Sequence, residues 1–148
     1  MKSVDKILRL FVARYTIKWE KPKIINELNP YYSNPDVSNL FSKNDLDCKN
    51  EKDLIRFLSN GSMVSLNSEI VSKITNLSSD IDSCMMNQTF SQSFKELEHK
   101  IEKGDILLEA PILIHFKDGS YFCYSGRKRA YLALKHDIPL VAFLVKQS

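Results

Sequence analysis

The chain has 148 residues, of which 43% are hydrophobic and 26% are charged, and its formal net charge is +3. This length and composition fit a globular protein with a buried core, and nothing in them forces disorder. The small net charge argues against a general nucleic-acid binder, which would carry an extensive basic surface. No apolar run approaches the roughly 20 residues of a membrane span, so we expect no membrane partner.

Cysteine and histidine usage indicates the compartment and argues against a metal site. The three cysteines are odd in number and show no CxxC pairing, and no signal peptide precedes them, so we expect a cytoplasmic protein. The three histidines are not spaced as metal ligands, and the sequence therefore predicts no metal site. Frequent asparagine, serine and lysine suit a bacterial or phage protein.

The N-terminal part is predicted to be mostly helical. Apolar residues recur at helical spacing in residues 2–17, which predicts an amphipathic helix that packs on the core rather than on a membrane surface. Residues 23–28 predict a short strand. The stretch 29–50 is rich in Asn, Ser, Asp and Pro and predicts a long surface connection. Its adjacent Tyr31 and Tyr32 either stack on a ligand ring or anchor the loop to the core.

The middle of the chain predicts two more helices before a change in composition. Residues 51–59 have the pattern of a short helix, and residues 67–77 have apolar positions on one helical face. Residues 78–92 are polar and serine-rich, which indicates a loop or a boundary. We therefore divide the chain into a mostly helical N-terminal segment, 1–92, and a C-terminal domain, 93–148.

The C-terminal domain is predicted to begin with a capped helix. Ser93 and Glu96 have the spacing of a capping box, in which the two side chains satisfy each other's backbone N–H groups. Phe94 begins an apolar face, and Gly104 is a typical helix stop. The sequence therefore predicts a helix that begins at Ser93 and ends before Gly104.

Strands and one further helix follow. The apolar runs predict strands at residues 106–108, 112–116, 121–124 and 140–145. Asp118-Gly119 separates two of these strands and predicts a type I′ hairpin turn, because both residue types tolerate a positive φ. After the turn at Ser125-Gly126, a helix is predicted to run to about His136.

The first turn of that last helix contains three consecutive cations, Arg127, Lys128 and Arg129. The positive end of the helix dipole disfavours each of them by about 0.3–1 kcal/mol, and they repel one another. Natural sequences keep such conflicts mainly where function requires them. Together with the free N–H groups of the helix N-terminus, these cations predict a phosphate site. The alternative is a solvated basic turn on an amphipathic helix.

In these features, residues 93–146 resemble the ParB/sulfiredoxin-like superfamily. A helix that ends in Gly104 before the strand Pro111-Ile-Leu-Ile114 is similar to the family's first sequence motif. The stretch Ser125-Gly-Arg-Lys-Arg129 is similar to its second motif, a glycine after a strand followed by a basic helix start. Ile138-Pro139 before the closing strand is a third correspondence. The resemblance implies an α+β fold, with a small mixed sheet and helices of the ParB/sulfiredoxin type, after the helical N-terminal segment.

Members of this superfamily hold a nucleotide phosphate on the glycine turn and the following helix N-terminus. The resemblance implies a nucleoside triphosphate with Mg²⁺, such as ATP or CTP, as the cofactor or substrate. Its expected binding residues are Ser125, Gly126, Arg127, Lys128 and Arg129. Sulfiredoxins carry their nucleophilic cysteine immediately after the glycine, where this chain has an arginine, so we do not expect their chemistry. Cys123, in the preceding strand, is interpreted as a small buried hydrophobe.

Two functions from different classes remain open. The first is a phosphotransferase or nucleotide hydrolase, because phosphoryl transfer requires mainly positioning and charge neutralisation. Glu109 is then the best candidate for a catalytic carboxylate, ahead of Glu102 and Asp118, although an exposed loop acid explains it equally well. The second is a non-catalytic adaptor or regulator that binds a nucleic acid or a protein through the same basic turn.

Overall fold

The computed structural model describes residues 16–28, 35–46, 48, 50–77 and 84–148. These residues form a mixed α+β fold. Its helices are α1 (Pro35–Lys43), α2 (Glu51–Leu58), α3 (Ser68–Ser72), α4 (Gln88–Glu102) and α5 (Arg127–Lys135), and Ile24–Glu27 is a 3-10 helix. Its strands are β1 (Ile17–Glu20), β2 (Ser62–Ser65), β3 (Ile106–Glu109), β4 (Ile112–His115), β5 (Tyr121–Ser125) and β6 (Val141–Lys146). No helix in the described ranges is long and apolar enough to cross a bilayer.

The larger sheet has four strands in the order β2-β6-β4-β5. It is mixed, because β6 runs antiparallel to β2 and parallel to β4, while β4 and β5 form an antiparallel hairpin. The smaller sheet consists of β1 and β3, which are parallel, with Ile17 opposite Ile106. In both sheets a strand from the N-terminal part of the chain therefore pairs with a strand that lies beyond residue 93.

The four-stranded sheet is covered on both faces, which explains why its central strands are almost wholly apolar. Side chains alternate between the faces of a strand, so Leu113 of β4 and Leu144 of β6 join one core, which contains residues of α4 and α5. Ile114 of β4 and Val145 of β6 join the other core, which contains residues of α1 and α2. The hairpin of β4 and β5 therefore lies between two helical layers.

Several predicted elements are confirmed. Helix α2, strands β3 to β6 and helix α5 lie where the sequence places them, within about two residues at each end. Helix α3 is shorter than predicted, since it ends at Ser72 and Ile74 then forms a bridge with Tyr121. The predicted helix over residues 2–17 lies outside the described residues except for its last two, and the paired tyrosines, Tyr31 and Tyr32, also lie outside them.

Other predictions for the N-terminal part are wrong. The predicted strand at 23–28 is a 3-10 helix over Ile24–Glu27. The predicted connection over 29–50 contains helix α1. Strands β1 and β2 were not predicted, because each is four residues long and is defined by its pairing with β3 or β6 rather than by an apolar pattern of its own.

The prediction of a capping box at Ser93 is also wrong. Helix α4 begins at Gln88, five residues earlier, and its N-cap is Asn87, whose Oδ1 accepts a hydrogen bond from the Phe90 N–H at 3.0 Å. Asparagine is among the strongest N-cap residues. With the helix started there, Ser93 lies inside it.

The hairpin between β4 and β5 is confirmed, but its turn type differs from the predicted type I′. Gly119 has a φ of 89°, whereas Asp118 is not among the residues with positive φ. The Gly119 N–H donates to the Phe116 oxygen, and the Phe116 N–H donates to the Ser120 oxygen, both at 3.0 Å. This is a three-residue loop with one left-handed residue at its end.

Candidate functional site

The predicted phosphate-binding turn lies between the end of β5 and the start of α5. Gly126 is the N-cap of α5 and has a φ of 87°, in the left-handed region that favours glycine. A Cβ atom at this position would lie 2.9 Å from the Cα atom of Pro111. Glycine is thus required twice, for the backbone conformation and for the close approach to the residue that precedes β4.

All five predicted binding residues line one cleft of about 580 Å³. The opposite wall is helix α4, which contributes the residues of one of its faces: Phe90, Ser93, Glu96, Leu97 and Lys100. Among the described residues that line the cleft, four are basic and one, Glu96, is acidic. The sequence predicts the turn but not this wall, because only the folded chain brings α4 opposite the turn.

Lys128 joins the two walls. Its Nζ donates to Ser93 Oγ at 2.6 Å and lies 4.8 Å from the centroid of the Phe90 ring. The pKa of Lys128 is lowered, first by burial and then by the nearby charges of Arg129 and Arg127. The cleft therefore holds an ammonium group in surroundings that disfavour its charge.

Arg129 and Ser125 share a carboxylate that the sequence analysis did not single out. Ser125 Oγ donates to Glu27 Oε2, and Arg129 Nη2 lies 3.9 Å from Glu27 Oε1. The Nε of Arg129 is buried and has no hydrogen-bond partner among the described residues. Glu27 belongs to the 3-10 helix, 98 residues before Ser125 in the sequence. No local signal connects these two positions.

Arg127 faces a different part of the chain. Its Nη2 is 4.0 Å from the Sγ of Cys84, which precedes α4. The three cations of the first turn thus have three different surroundings: Arg127 at Cys84, Lys128 at Ser93, and Arg129 at Glu27. All three nevertheless line the same cleft.

The predicted catalytic carboxylate, Glu109, does not line the cleft, although the preceding residue, Leu108, does. Its Oε1 accepts a hydrogen bond from the Lys23 N–H at 3.0 Å, next to the start of the 3-10 helix. Among the weaker candidates, Asp118 Oδ1 accepts from the Ser120 N–H within the hairpin at 2.9 Å. Glu102 Oε1 lies 3.9 Å from His136 Nε2.

Cys123 is buried, as the sequence predicts. Burial raises the pKa of its thiol to about 12, although the nearby Arg127 and Arg129 act in the opposite direction. The Sγ donates to the Ser125 oxygen at 3.4 Å. A thiol in this environment stays protonated at neutral pH and is a poor nucleophile.

A second cluster of titratable groups joins the last turn of α4 to the end of α5. One ligand atom from each of Glu98, Glu102 and His136 lies within 4.8 Å of the others, a spacing that a metal ion could use. Lys135 Nζ is 2.7 Å from Glu98, and His136 Nε2 is 2.8 Å from the same carboxylate oxygen. Because Lys135 forms an ion pair with Glu98, this cluster is an ion-pair network between α4 and the end of α5.

In comparisons with known proteins, no family model, no curated protein and no solved structure matches the chain.

Proposed function

We propose that this protein binds a nucleoside triphosphate with Mg²⁺ and places its phosphates on the turn from Ser125 to Arg129, as a phosphotransferase or nucleotide hydrolase of the ParB/sulfiredoxin-like type. One observation carries the proposal. Three consecutive cations line a cleft at the N-terminus of α5, where burial and mutual repulsion lower the pKa of Lys128.

The electrostatics of the turn favour an anionic ligand. Positive side chains at the N-terminus of a helix oppose its dipole, and Lys128 is partly desolvated as well. A bound phosphate would offset both effects, because it attracts the cations and accepts hydrogen bonds from N–H groups at a helix N-terminus. It would also supply an acceptor for the buried Nε of Arg129.

The size and lining of the cleft favour a small ligand over an extended one. Its volume of about 580 Å³ lies within the common range for small-molecule sites. Phe90, Leu97 and Leu108 provide apolar lining beside the basic turn. This combination fits a molecule with a charged end and a flat, less polar end, which is the chemistry of a nucleotide.

The non-catalytic adaptor has one observation in its favour. Glu109, Glu102 and Asp118, the three carboxylates predicted as catalytic candidates, do not line the cleft. A basic cleft without a catalytic carboxylate would bind a phosphate-containing partner and not turn it over.

The cytoplasmic location is also a proposal. It is supported by the odd number of cysteines and by their lack of CxxC spacing.

Thermal unfolding with a panel of nucleotides tests the proposal. Any ligand that binds only the folded state raises the unfolding midpoint, so we expect a shift with ATP, CTP or GTP and Mg²⁺, and a smaller shift with the corresponding diphosphate. Lys128→Gln should remove most of the shift. Lys95→Gln, at an exposed position on α4 outside the cleft, is the matched control and should retain it.

Lys128→Gln is a cleaner probe than Arg129→Ala. Arg129 contacts Glu27, whose side chain is only 14% exposed, so its removal also changes the stability of the fold. If no nucleotide shifts the midpoint of the natural protein, the nucleotide proposal is wrong. Binding of an oligonucleotide with a steep dependence on salt would then favour the adaptor.

A further inference from the structure

The hydrogen bond between Ser125 and Glu27 is not required for binding phosphate. The basic turn supplies cations and backbone N–H groups, while a carboxylate next to it would weaken anion binding. Ser125 Oγ nevertheless donates to Glu27 Oε2, and Ser125 lines the cleft. A serine that gives its proton to a carboxylate keeps its oxygen lone pairs available to attack an electrophile.

Glu27 is held in place on both of its oxygens. Oε2 accepts from Ser125, and Oε1 lies 3.9 Å from Arg129 Nη2, with the side chain largely removed from solvent. A general base must lie within hydrogen-bond reach of the proton that it removes, and its orientation must be fixed by a third group. Glu27 satisfies the first condition through Ser125 and the second through Arg129.

We propose that Ser125 is a nucleophile that accepts a phosphoryl group from the bound nucleoside triphosphate, with Glu27 as its general base. This inference rests on the proposed function. The Oγ of Ser125 forms a bond to the γ-phosphorus, and the bond between that phosphorus and the β,γ-bridging oxygen breaks. The hydroxyl proton goes to Glu27 Oε2, and a nucleoside diphosphate leaves.

The products are phosphoserine at position 125 and the diphosphate. Arg127 and Lys128 stabilise the charge that spreads over the transferring phosphoryl oxygens, which is the main requirement of such a transfer. Phosphoserine then passes the group to water or to a second substrate. The Ser125–Glu27 contact could also have a purely structural role, which is to attach the 3-10 helix to the end of β5. The experiment below separates this structural role from the catalytic one.

The test is intact-mass analysis of the natural protein after incubation with ATP, CTP or GTP and Mg²⁺ and a rapid acid quench at several times. We expect the mass of one phosphoryl group to be added and peptide mapping to place it on Ser125. Ser125→Ala should abolish the label. Glu27→Gln should slow labelling by a factor of about 10²–10⁴ while the nucleotide still raises the unfolding midpoint. Glu69→Gln, at an exposed position on α3, should label at the natural rate.

The outcomes distinguish this inference from the function on which it rests. A midpoint shift without a label at any quench time overturns the nucleophile but leaves nucleotide binding intact. Nucleotide turnover that survives Ser125→Ala also overturns it. No shift and no label overturn both proposals. Since labelling is first measured on the natural protein, the result does not depend on whether the Glu27 variant folds.

Discussion

The side-chain amide of Asn76 forms two hydrogen bonds with the backbone of Cys123. Its Nδ2 donates to the Cys123 oxygen at 3.0 Å, and its Oδ1 accepts from the Cys123 N–H at 2.9 Å. Strand β5 is the last strand of the four-stranded sheet, with β4 on its other side. The amide therefore pairs backbone groups on the outer edge of β5 and continues the bridge between Ile74 and Tyr121, two residues before the turn at Ser125.

Asn76→Ala should destabilise the fold by about 1–3 kcal/mol, because it leaves a donor and an acceptor of a buried residue without partners. Asn76→Asp should also destabilise it, since a carboxylate cannot donate to the Cys123 oxygen. Urea unfolding measures both changes. Asn60→Ala, at an exposed position after α2, is the control and should stay within about 0.5 kcal/mol of the natural protein. Equal stability of the Asn76 and Asn60 variants would contradict this role.

Comparison of Gly126→Ala with Gly119→Ala separates the two reasons for glycine at position 126, which are its positive φ and its close approach to Pro111. Both residues have a φ near 90°, so both substitutions carry the same backbone strain. A Cβ at position 119 would meet no atom within 4 Å, whereas one at position 126 would lie 2.9 Å from the Pro111 backbone. We expect a loss of about 1 kcal/mol at position 119 and at least about 2 kcal/mol at 126, measured by urea unfolding. Similar losses would show that the close approach has no energetic weight.

The C-terminal half of the fold was predictable because its signals are local. The run of apolar residues in β4, Asp118-Gly119 in the hairpin and the Ser125-Gly126 turn each stand within a few residues of the structure that they determine. The same holds for the basic turn, whose members are consecutive in the sequence. Because the basic turn comes directly after a predicted strand and begins a predicted helix, the sequence alone places it at the N-terminus of α5.

The remaining parts depend on contacts between distant positions. Strand β2 has the sequence SMVS, which carries no period of its own, and it is a strand because Val64 lies opposite Ala142 of β6. Glu27 was missed at the candidate site for the same reason, since only the folded chain brings it to Ser125. The predicted role of Ser93 as the cap of α4 is wrong, because Asn87 caps the helix instead. Ser93 lies inside the helix, where its Oγ accepts a hydrogen bond from Lys128.

The three cysteines should differ in their reactivity toward a thiol reagent. Burial raises the pKa of Cys123 to about 12 and leaves almost no thiolate at pH near 8. Cys48 is also buried, whereas Cys84 is partly exposed. We therefore expect iodoacetamide to modify Cys84 first in the folded protein, with the sites identified by peptide mass. In urea all three should react at similar rates, and fast labelling of Cys123 without urea would contradict its buried, protonated state.

Glu98 should give the fold a stability that depends on acid pH. Burial alone would raise the pKa of this carboxyl, but hydrogen bonds from Lys135 and His136 outweigh burial, and the pKa lies below its ordinary value of 4.5. A carboxyl with a lowered pKa in the folded state stabilises the protein above its unfolded pKa, and this stabilisation is lost as the pH falls through the folded pKa. The contribution should therefore be complete at neutral pH and should decline below about pH 4.5.

Glu98→Gln tests this contribution, because it removes the charge and retains the shape. At neutral pH the variant should be less stable by about 1–3 kcal/mol, since two groups lose a charged hydrogen-bond partner. Urea unfolding at decreasing pH should show the gap between variant and natural protein close as Glu98 itself becomes protonated. Glu102→Gln is the matched control, because its carboxylate is 44% exposed and 3.9 Å from His136. A gap that stays constant to about pH 3 would mean that the glutamine substitution acts through packing and not through charge.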